Sequence, residues 1–280
     1  QNNKENPHFD LAGRIRQEIK NASDKGANAL ILFNSSDLPD NIRFDEKDKS
    51  ETAPIPVVFL TKQATQKYLV DPSAVYDLKL KTELGPKTRQ GRNILGYIDN
   101  GSDQTIIFGA HFDHLGYGED GNSMIRTGEK LIHNGADDNA SGTAALIELA
   151  RMLKKSKGAK DNYLFIAFSG EELGLYGSKY YVENPVLPAS SINYMVNMDM
   201  VGRLNDSTKT ITIGGYGTSP SWSSLLSALK NPGFNVKFDS SGTGPSDHTS
   251  FYRKDIPVLF FFTGLHGDYH RPSDHAGKIN

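Results

Sequence analysis

The sequence predicts an α/β protein in which a mostly parallel, mixed sheet is covered by helices and a small α/β domain lies in front. Two observations predict this fold class. After residue 86, short apolar segments alternate with segments whose apolar residues recur at helical spacing. Before residue 85, the candidate strands are less apolar and a polar, proline-bounded stretch at 39–56 interrupts them. We therefore predict two domains, residues 1–85 and 86–280, with the break near Gly85-Pro86.

The front domain is predicted to run helix, strand, strand, helix, strand. Its first helix, 11–22, has Leu11, Ile15 and Ile19 on one stripe. The other elements are strands at 29–33 and 56–60, a helix that Thr61 caps and that ends near residue 69, and an alternating strand at 75–81.

The larger domain is predicted to alternate strands with helices. The strands are expected at 93–98, 105–110, 162–168, 192–198, 210–213 and 258–262. The helices are expected at 141–155, 173–182 and 221–229.

Composition excludes several kinds of protein. The chain has 280 residues, of which 37% are hydrophobic and 23% are charged, as is ordinary for a globular protein. Its formal net charge of -2 favours neither a nucleic-acid partner nor an anionic membrane surface. The longest strongly apolar stretch, 258–262, is far shorter than the ~20 residues that span a bilayer.

Cysteine is absent, which excludes disulfides, thiolate nucleophiles and cysteine-ligated structural zinc. The first residue is Gln1, with no charged-then-apolar leader before it. Either a signal peptide has been removed or the start has been trimmed, and we expect an exported protein, secreted or periplasmic. The sequence leaves the oligomeric state open.

Residues that can bind metal follow the predicted strands. His111, Asp199 and the pair Glu171-Glu172 come directly after apolar strands, and His270 follows the last strand after a glycine-containing loop. Asp138 lies just before a predicted helix. In an α/β sheet the carboxyl ends of the strands share one edge, so these side chains are expected to meet there.

The residue types favour zinc or a similar divalent ion, because imidazole and carboxylate ligands are mixed. Asp138 suits a position between two cations, since the small residues Ala140 and Gly142 follow it. Of the adjacent Glu171 and Glu172, one can bind metal while the other takes a proton from water. Asp113, two residues after His111, and Asp274, four after His270, are expected to accept the imidazole N–H groups.

Five motifs resemble the dizinc aminopeptidase family, which includes bacterial leucyl-type aminopeptidases and, more distantly, glutamate carboxypeptidase and the transferrin receptor. They are HFD at 111–113, ADDNASG at 136–142, SGEELG at 169–174, NMDM at 197–200 and YH at 269–270. The resemblance covers residues 86–275. It implies that 86–280 is a zinc-exopeptidase-like catalytic domain without the terminal helices usual in the family. The front part resembles a partial protease-associated domain.

The resemblance also implies roles for single residues. His111 and Glu172 would each hold one of two Zn²⁺ ions, with Asp138 between the ions. Asp199 and His270 would each join one ion. Glu171 would be the general base and later the acid, and Asp113 would orient His111. A cis peptide bond is implied between Asp138 and Asn139.

The predicted function is that of a zinc-dependent aminopeptidase, which hydrolyses N-terminal residues from peptides with Glu171 as general base. Three alternatives stay open at this point. A carboxypeptidase or dipeptidase would need a cation such as Arg203 or Arg253 for a free carboxylate. A glutaminyl cyclase would hold a single zinc, and a receptor-like binding module would hold none.

Other polar residues near the motifs are given lesser roles. Ser246, Asp247 and His248 are expected to line a pocket, because three adjacent residues cannot normally form a serine triad. Asp137 is expected to make turn or capping hydrogen bonds. Four further histidines are predicted to be structural or to lie at the rim of the site: His114, His133, His266 and His275. Aromatic lining of the substrate pocket is expected from Tyr216, Trp222, Phe251 or Tyr252.

Overall fold

The computed structural model describes residues 10–35, 39–40, 42, 44, 50–71, 73–82, 88–125, 127, 129–157, 159–227 and 233–280. The chain divides into two compact units, Gln1–Thr88 and Arg89–Asn280. The break predicted at Gly85-Pro86 lies outside the described residues. The likeness of the front unit to a protease-associated domain stays a prediction.

The front unit contains two short parallel strands and two helices among its described residues. Strands β1 (Leu30–Phe33) and β2 (Val57–Leu60) pair in register, and helices α1 (Leu11–Asp24) and α2 (Lys62–Tyr68) accompany them. Asp10 caps α1 by accepting the Gly13 N–H, and Thr61 caps α2, as predicted, by accepting the Ala64 N–H.

The strand predicted at 75–81 is wrong, since this segment has no regular secondary structure. Its apolar residues are exposed; Val75 is 100% exposed and Leu78 55%. Alternation alone does not make a strand, because a strand also needs a partner and a face to bury.

The larger unit is built on a seven-stranded mixed sheet in the order β3-β5-β4-β6-β9-β7-β8. The pairs β4–β5, β4–β6, β6–β9 and β7–β8 are parallel, whereas β3–β5 and β7–β9 are antiparallel. This confirms the predicted fold class. The strands are β3 (Ile94–Ile98), β4 (Thr105–His111), β5 (Asn162–Phe168), β6 (Ile192–Met198), β7 (Thr210–Gly214), β8 (Asn235–Phe238) and β9 (Val258–Phe262).

Four helices of the larger unit are α3 (Gly142–Lys155), α4 (Tyr176–Glu183), α5 (Trp222–Leu226) and α6 (His248–Tyr252). Helix α4 begins three residues later than predicted, because the main chain turns at Glu171, whose carbonyl accepts the N–H groups of Gly174 and Leu175. Two elements were not predicted: β8, a mostly exposed edge strand, and α6, whose five residues are too few to show a helical period. The end predicted for α5, beyond residue 227, lies outside the described residues.

Both faces of the sheet are covered, which explains why its central strands are almost continuously apolar. On one face Ile107, Ile166 and Phe168 pack with Tyr181 of α4 and Phe251 of α6. On the other face Phe165, Ala110 and Met198 pack with Leu146 of α3. This packing holds the carboxyl ends of β4, β5 and β6 rigidly beside one another. None of the helices within the described ranges combines the length and apolarity that crossing a bilayer requires.

Candidate metal centre

The five predicted ligands meet at the carboxyl edge of the central strands. His111 is the last residue of β4, Asp199 directly follows β6, and Glu172 lies four residues after β5. Asp138 precedes α3, and His270 lies in the loop after β9. The structure therefore brings together side chains from five separate parts of the chain.

The ligand atoms form two groups that share Asp138. In the first group, His111 Nε2 lies 3.4 Å from Asp138 Oδ1 and 3.3 Å from Asp199 Oδ1. In the second, His270 Nε2 lies 3.3 Å from Asp138 Oδ2 and 3.2 Å from Glu172 Oε2. The two oxygens of one carboxylate thus face two different imidazoles.

The loop that presents Asp138 is tied to β6 and to the end of the chain. Its peptide bond to Asn139 is cis, as the resemblance implies. Asn139 donates to the Met198 carbonyl over 2.9 Å, and its Oδ1 accepts the Gly142 N–H over 2.9 Å. Asp137 accepts the Gly202 N–H over 2.7 Å and faces His266 Nε2 at 3.1 Å, so its carboxylate binds distant segments, unlike the turn or capping hydrogen bonds predicted for it.

The contact predicted for Asp274 is wrong. Its Oδ2 accepts the main-chain N–H groups of Asp137 and Asp138, over 2.9 and 3.2 Å. The Nδ1 atom of His270 instead lies 2.9 Å from the carbonyl oxygen of Asn122. Asp274 therefore anchors the loop of Asp138, because the turn at residues 271–274 directs its side chain toward that loop.

Asp113 contacts His111 through its main chain. His111 Nδ1 lies 3.1 Å from the Asp113 carbonyl oxygen and 3.8 Å from its carboxylate Oδ1. The Asp113 carboxylate instead accepts the N–H groups of Glu171 and Glu172, over 3.1 and 3.3 Å. One residue thus orients the imidazole and also holds the turn that carries both glutamates.

Glu171 points into the same region without belonging to either group of ligand atoms. Burial raises its pKa to about 9, although His111 acts in the opposite direction. Further carboxylates add to the rise, namely Asp199, Asp247 and Glu172. A cation nearby would favour the ionised form of Glu171, because opposite charge stabilises a carboxylate.

These residues fit a metal centre. Asp199 Oδ1 is buried and has no hydrogen-bond partner within the described part of the chain. Although burial acts against it, hydrogen bonding to Asp138 and Glu172 raises the pKa of His270 to about 10. The centre therefore attracts positive charge, and a mixed imidazole and carboxylate donor set is the kind that zinc accepts.

The centre opens into a cavity of about 250 Å³. Its apolar wall is formed by Phe260, Phe262 and Leu265. The four aromatic residues that we predicted for this wall are absent from the described lining, and Trp222 and Phe251 are buried in the core. His248 does line the cavity, as predicted, and stacks on Phe260 with ring centroids 4.3 Å apart.

Sequence reasoning missed two neighbours of the ligands. His114 Nδ1 lies 2.7 Å from Glu172 Oε1, much closer to the centre than a rim position. Ser246 donates to Asp199 Oδ2 over 2.8 Å and accepts from Asn197 Nδ2 over 2.8 Å. In the sequence, the contact of His114 with Glu172 is indicated only by its position three residues after His111, at the same strand end. The sequence gives no such signal for Ser246.

A comparison with protein families matches residues 93–280, more than half of the chain, to peptidase family M28. The chain belongs to peptidase family M28. The family agrees with the resemblance that the motifs showed.

Among curated relatives, the chain is 29% identical over 279 residues to aminopeptidase YwaD of Bacillus subtilis (strain 168), covering 94% of this chain and 55% of that protein. It is 28% identical over 273 residues to the probable lipoprotein aminopeptidase LpqL of Mycobacterium tuberculosis, covering 87% and 47%. The chain thus spans about half of the length of these relatives. Among solved structures, a zinc aminopeptidase from Bacillus subtilis, BSAP, has a TM-score of 0.56 and 26% identity, with 94% of this chain and 62% of that chain covered.

Proposed function

We propose that this M28 chain is the catalytic part of a zinc-dependent aminopeptidase that binds two Zn²⁺ ions. The observation that carries the proposal is the division of the Asp138 carboxylate between two imidazoles. One ion would be held by His111, Asp138 and Asp199, and the other by His270, Asp138 and Glu172. The names of the relatives, aminopeptidase and zinc aminopeptidase, support the same activity.

When bound, zinc supplies a Lewis acid for the substrate carbonyl and lowers the pKa of water toward neutrality. We assign the proton transfers to Glu171, because of the adjacent Glu171 and Glu172 it is the one whose carboxylate does not contact the imidazole of His111 or His270. Its carboxylate removes a proton from the attacking water, and the protonated group later donates to the departing amine nitrogen. The main-chain hydrogen bonds to Asp113 keep Glu171 in place during both transfers.

The charges around the cavity favour a free N-terminus over a free C-terminus. Four carboxylates face its inner end, those of Asp138, Glu171, Glu172 and Asp199. Among the described residues that line it, none is lysine or arginine. Burial lowers the pKa of His248 to about 4, so that this imidazole is neutral at pH 7. Beyond the proposed zinc ions, the described lining therefore offers no charged partner to a substrate α-carboxylate, which favours substrates recognised at a free N-terminus.

The two arginines considered for a carboxypeptidase do not line this cavity. Arg203 donates to Asp268 over 2.8 Å and lies 3.0 Å from His266 Nδ1, so its guanidinium is engaged elsewhere. Arg253 lies just beyond α6. Both ligand groups contain an imidazole and two carboxylates, which favours two ions over the single zinc of a cyclase.

We further propose a secreted or periplasmic location for the protein. The name of the LpqL relative, a probable lipoprotein aminopeptidase, supports a location outside the cytoplasm.

A panel of aminoacyl chromogenic substrates tests the proposed activity. We expect hydrolysis of free aminoacyl substrates, no hydrolysis of their N-acetylated forms, and loss of activity with a chelator that added Zn²⁺ reverses. Apolar N-terminal residues are expected to be preferred and acidic ones to be poorest, because the wall is apolar and its described residues include no lysine or arginine. Cleavage of N-blocked peptides at the C-terminus, or formation of pyroglutamate without hydrolysis, would overturn the proposal.

A further inference from the structure

A third histidine lies against the candidate metal centre. His114 Nδ1 is 2.7 Å from Glu172 Oε1, and the exposed fractions of the two side chains are only 10% and 6%. This contact joins residues 58 positions apart in the sequence. It is outside the five predicted ligands and outside the proposed proton transfers.

The contact divides the Glu172 carboxylate between two imidazoles. Oε1 faces His114, while Oε2 lies 3.2 Å from His270 Nε2, where the second ion would bind. An oxygen that accepts this hydrogen bond is the weaker donor to a cation, so the other oxygen is the favoured ligand atom. His114 therefore selects the oxygen of Glu172 that faces the ion.

The hydrogen bond also defines the state of the His114 ring. An ionised carboxylate only accepts hydrogen bonds, so Nδ1 must donate the proton. The Nδ1 atom that faces the centre then has no lone pair for a metal. Through Nδ1, His114 therefore acts on the ion by way of Glu172 and does not bind it.

Packing keeps the His114 ring where it is. Gly135 has φ +60°, and a Cβ atom at this position would lie 2.6 Å from His114 Cγ. The ring of His133 lies 6.4 Å away, and that of His270 lies 6.0 Å away with its plane at 75°. His133 is itself held by Ser123 Oγ at 2.8 Å.

Asn122 also supports the ligands of the second group, through both its side chain and its main chain. The Asn122 side chain donates to the Glu172 carbonyl over 2.6 Å, and the Asn122 carbonyl oxygen lies 2.9 Å from His270 Nδ1. Two of the three ligands of the second group, Glu172 and His270, thus contact the same residue. His114 completes this support at the carboxylate.

We propose that His114 is a positioning residue that fixes the metal-binding oxygen of Glu172 and so sets the affinity for one of the two zinc ions. The proposal rests on the proposed function, since it takes a two-zinc centre as its starting point. The ion between His111 and Asp199 is expected to be unaffected by His114, because that ion shares only Asp138 with the second group.

The test compares two variants of similar size, His114→Asn and His114→Leu. The Asn side chain keeps an N–H donor close to the position of Nδ1, and Leu has none. Zinc affinity is measured by competition with a chelating indicator. We expect His114→Leu to lose about 10–100-fold in affinity for one zinc only, and His114→Asn to recover most of that loss.

A third variant, His275→Leu, changes an exposed histidine and is expected to bind both ions like the wild type. If His114→Leu fails to fold, His114→Ala takes its place in the comparison. Wild-type affinity for both ions in the variant without a donor, or equal losses in the Asn and Leu variants, would overturn the role of His114. A wild-type chain that binds no zinc would instead overturn the proposed function, and with it this inference.

Discussion

Glu171 and Glu172 are neighbours in the sequence but have different surroundings. Both oxygens of Glu172 face imidazoles, those of His114 and His270. Glu171 faces carboxylates within a buried region, and its pKa is raised to about 9. The different environments of two identical side chains are the basis for the roles proposed here, metal binding for Glu172 and proton transfer for Glu171.

The variant Glu171→Gln tests this division. We expect it to keep both zinc ions, because neither imidazole contacts Glu171, and to lower kcat by about 10²–10⁴-fold, because the amide cannot accept the proton. Zinc content and kcat are measured together on the same preparation. The comparison variant Glu172→Gln is expected to lose zinc as well. Wild-type kcat in Glu171→Gln would show that another group is the base.

Ser246 determines which oxygen of Asp199 remains available for an ion. Asn197 donates to Ser246, which must then direct its own proton to Asp199 Oδ2. Asn197 and Ser246 are both buried. The other oxygen of Asp199, Oδ1, faces His111 Nε2 at 3.3 Å.

For Ser246→Ala we expect zinc affinity at the His111 group to fall by about 10–100-fold, because Asp199 loses the partner that orients it. Chelator competition measures the affinity, and Ser223→Ala, at an exposed position on α5, serves as the control. Unchanged affinity in Ser246→Ala would mean that the strand alone orients Asp199.

At the scale of elements, the start of α3 lies directly against the end of β6. A Cβ atom on Gly142 would lie 2.4 Å from the Met198 carbonyl oxygen and 2.4 Å from Asn139 Oδ1. Since one of these atoms belongs to the main chain, it cannot move aside without displacing the strand. Glycine at this position thus allows the loop of Asp138 to approach Asp199.

The variant Gly142→Ala is therefore expected to lower the free energy of unfolding by about 1–3 kcal/mol or more. Urea unfolding measures this change. Gly277→Ala is the matched control, because nothing lies within 4 Å of a Cβ atom there, and its stability is expected to equal that of the wild type. Equal stabilities of the two variants would contradict the close approach of α3 and β6.

The elements that the sequence predicted well are the buried ones. Strands β5, β6 and β9 have the predicted ends, because each is largely apolar and lies in a sheet that is covered on both faces. The segment at 75–81 shows the right alternation without a partner, and β8 pairs at an edge with little burial. The pattern of apolar residues along the sequence indicates which segments are buried. It does not predict strand pairs that depend on residues far apart in the sequence.

The candidate site was likewise predictable only in part. Residues at strand ends could be predicted to meet, because the sheet itself brings them together. The contacts of Asp274, the role of Ser246 and the wall formed by Phe260, Phe262 and Leu265 depend on how long loops fold over the sheet edge. No spacing in the sequence encodes those arrangements.

For the whole molecule, the cavity combines a carboxylate-rich inner end with an apolar wall. The carboxylates are numerous enough to require cations, and the covered sheet beneath them prevents the ligands from moving apart. A site that is rigid and negatively charged before any ion arrives is suited to bind two ions close together.

The zinc content of the purified chain and of its Asp138→Ala variant, measured by inductively coupled plasma mass spectrometry, tests the central claim most directly. The arrangement of the ligands predicts two zinc ions per wild-type chain and a loss of both ions in Asp138→Ala, because that carboxylate belongs to both groups. One zinc or none in the wild type, or two ions retained after removal of Asp138, would contradict it.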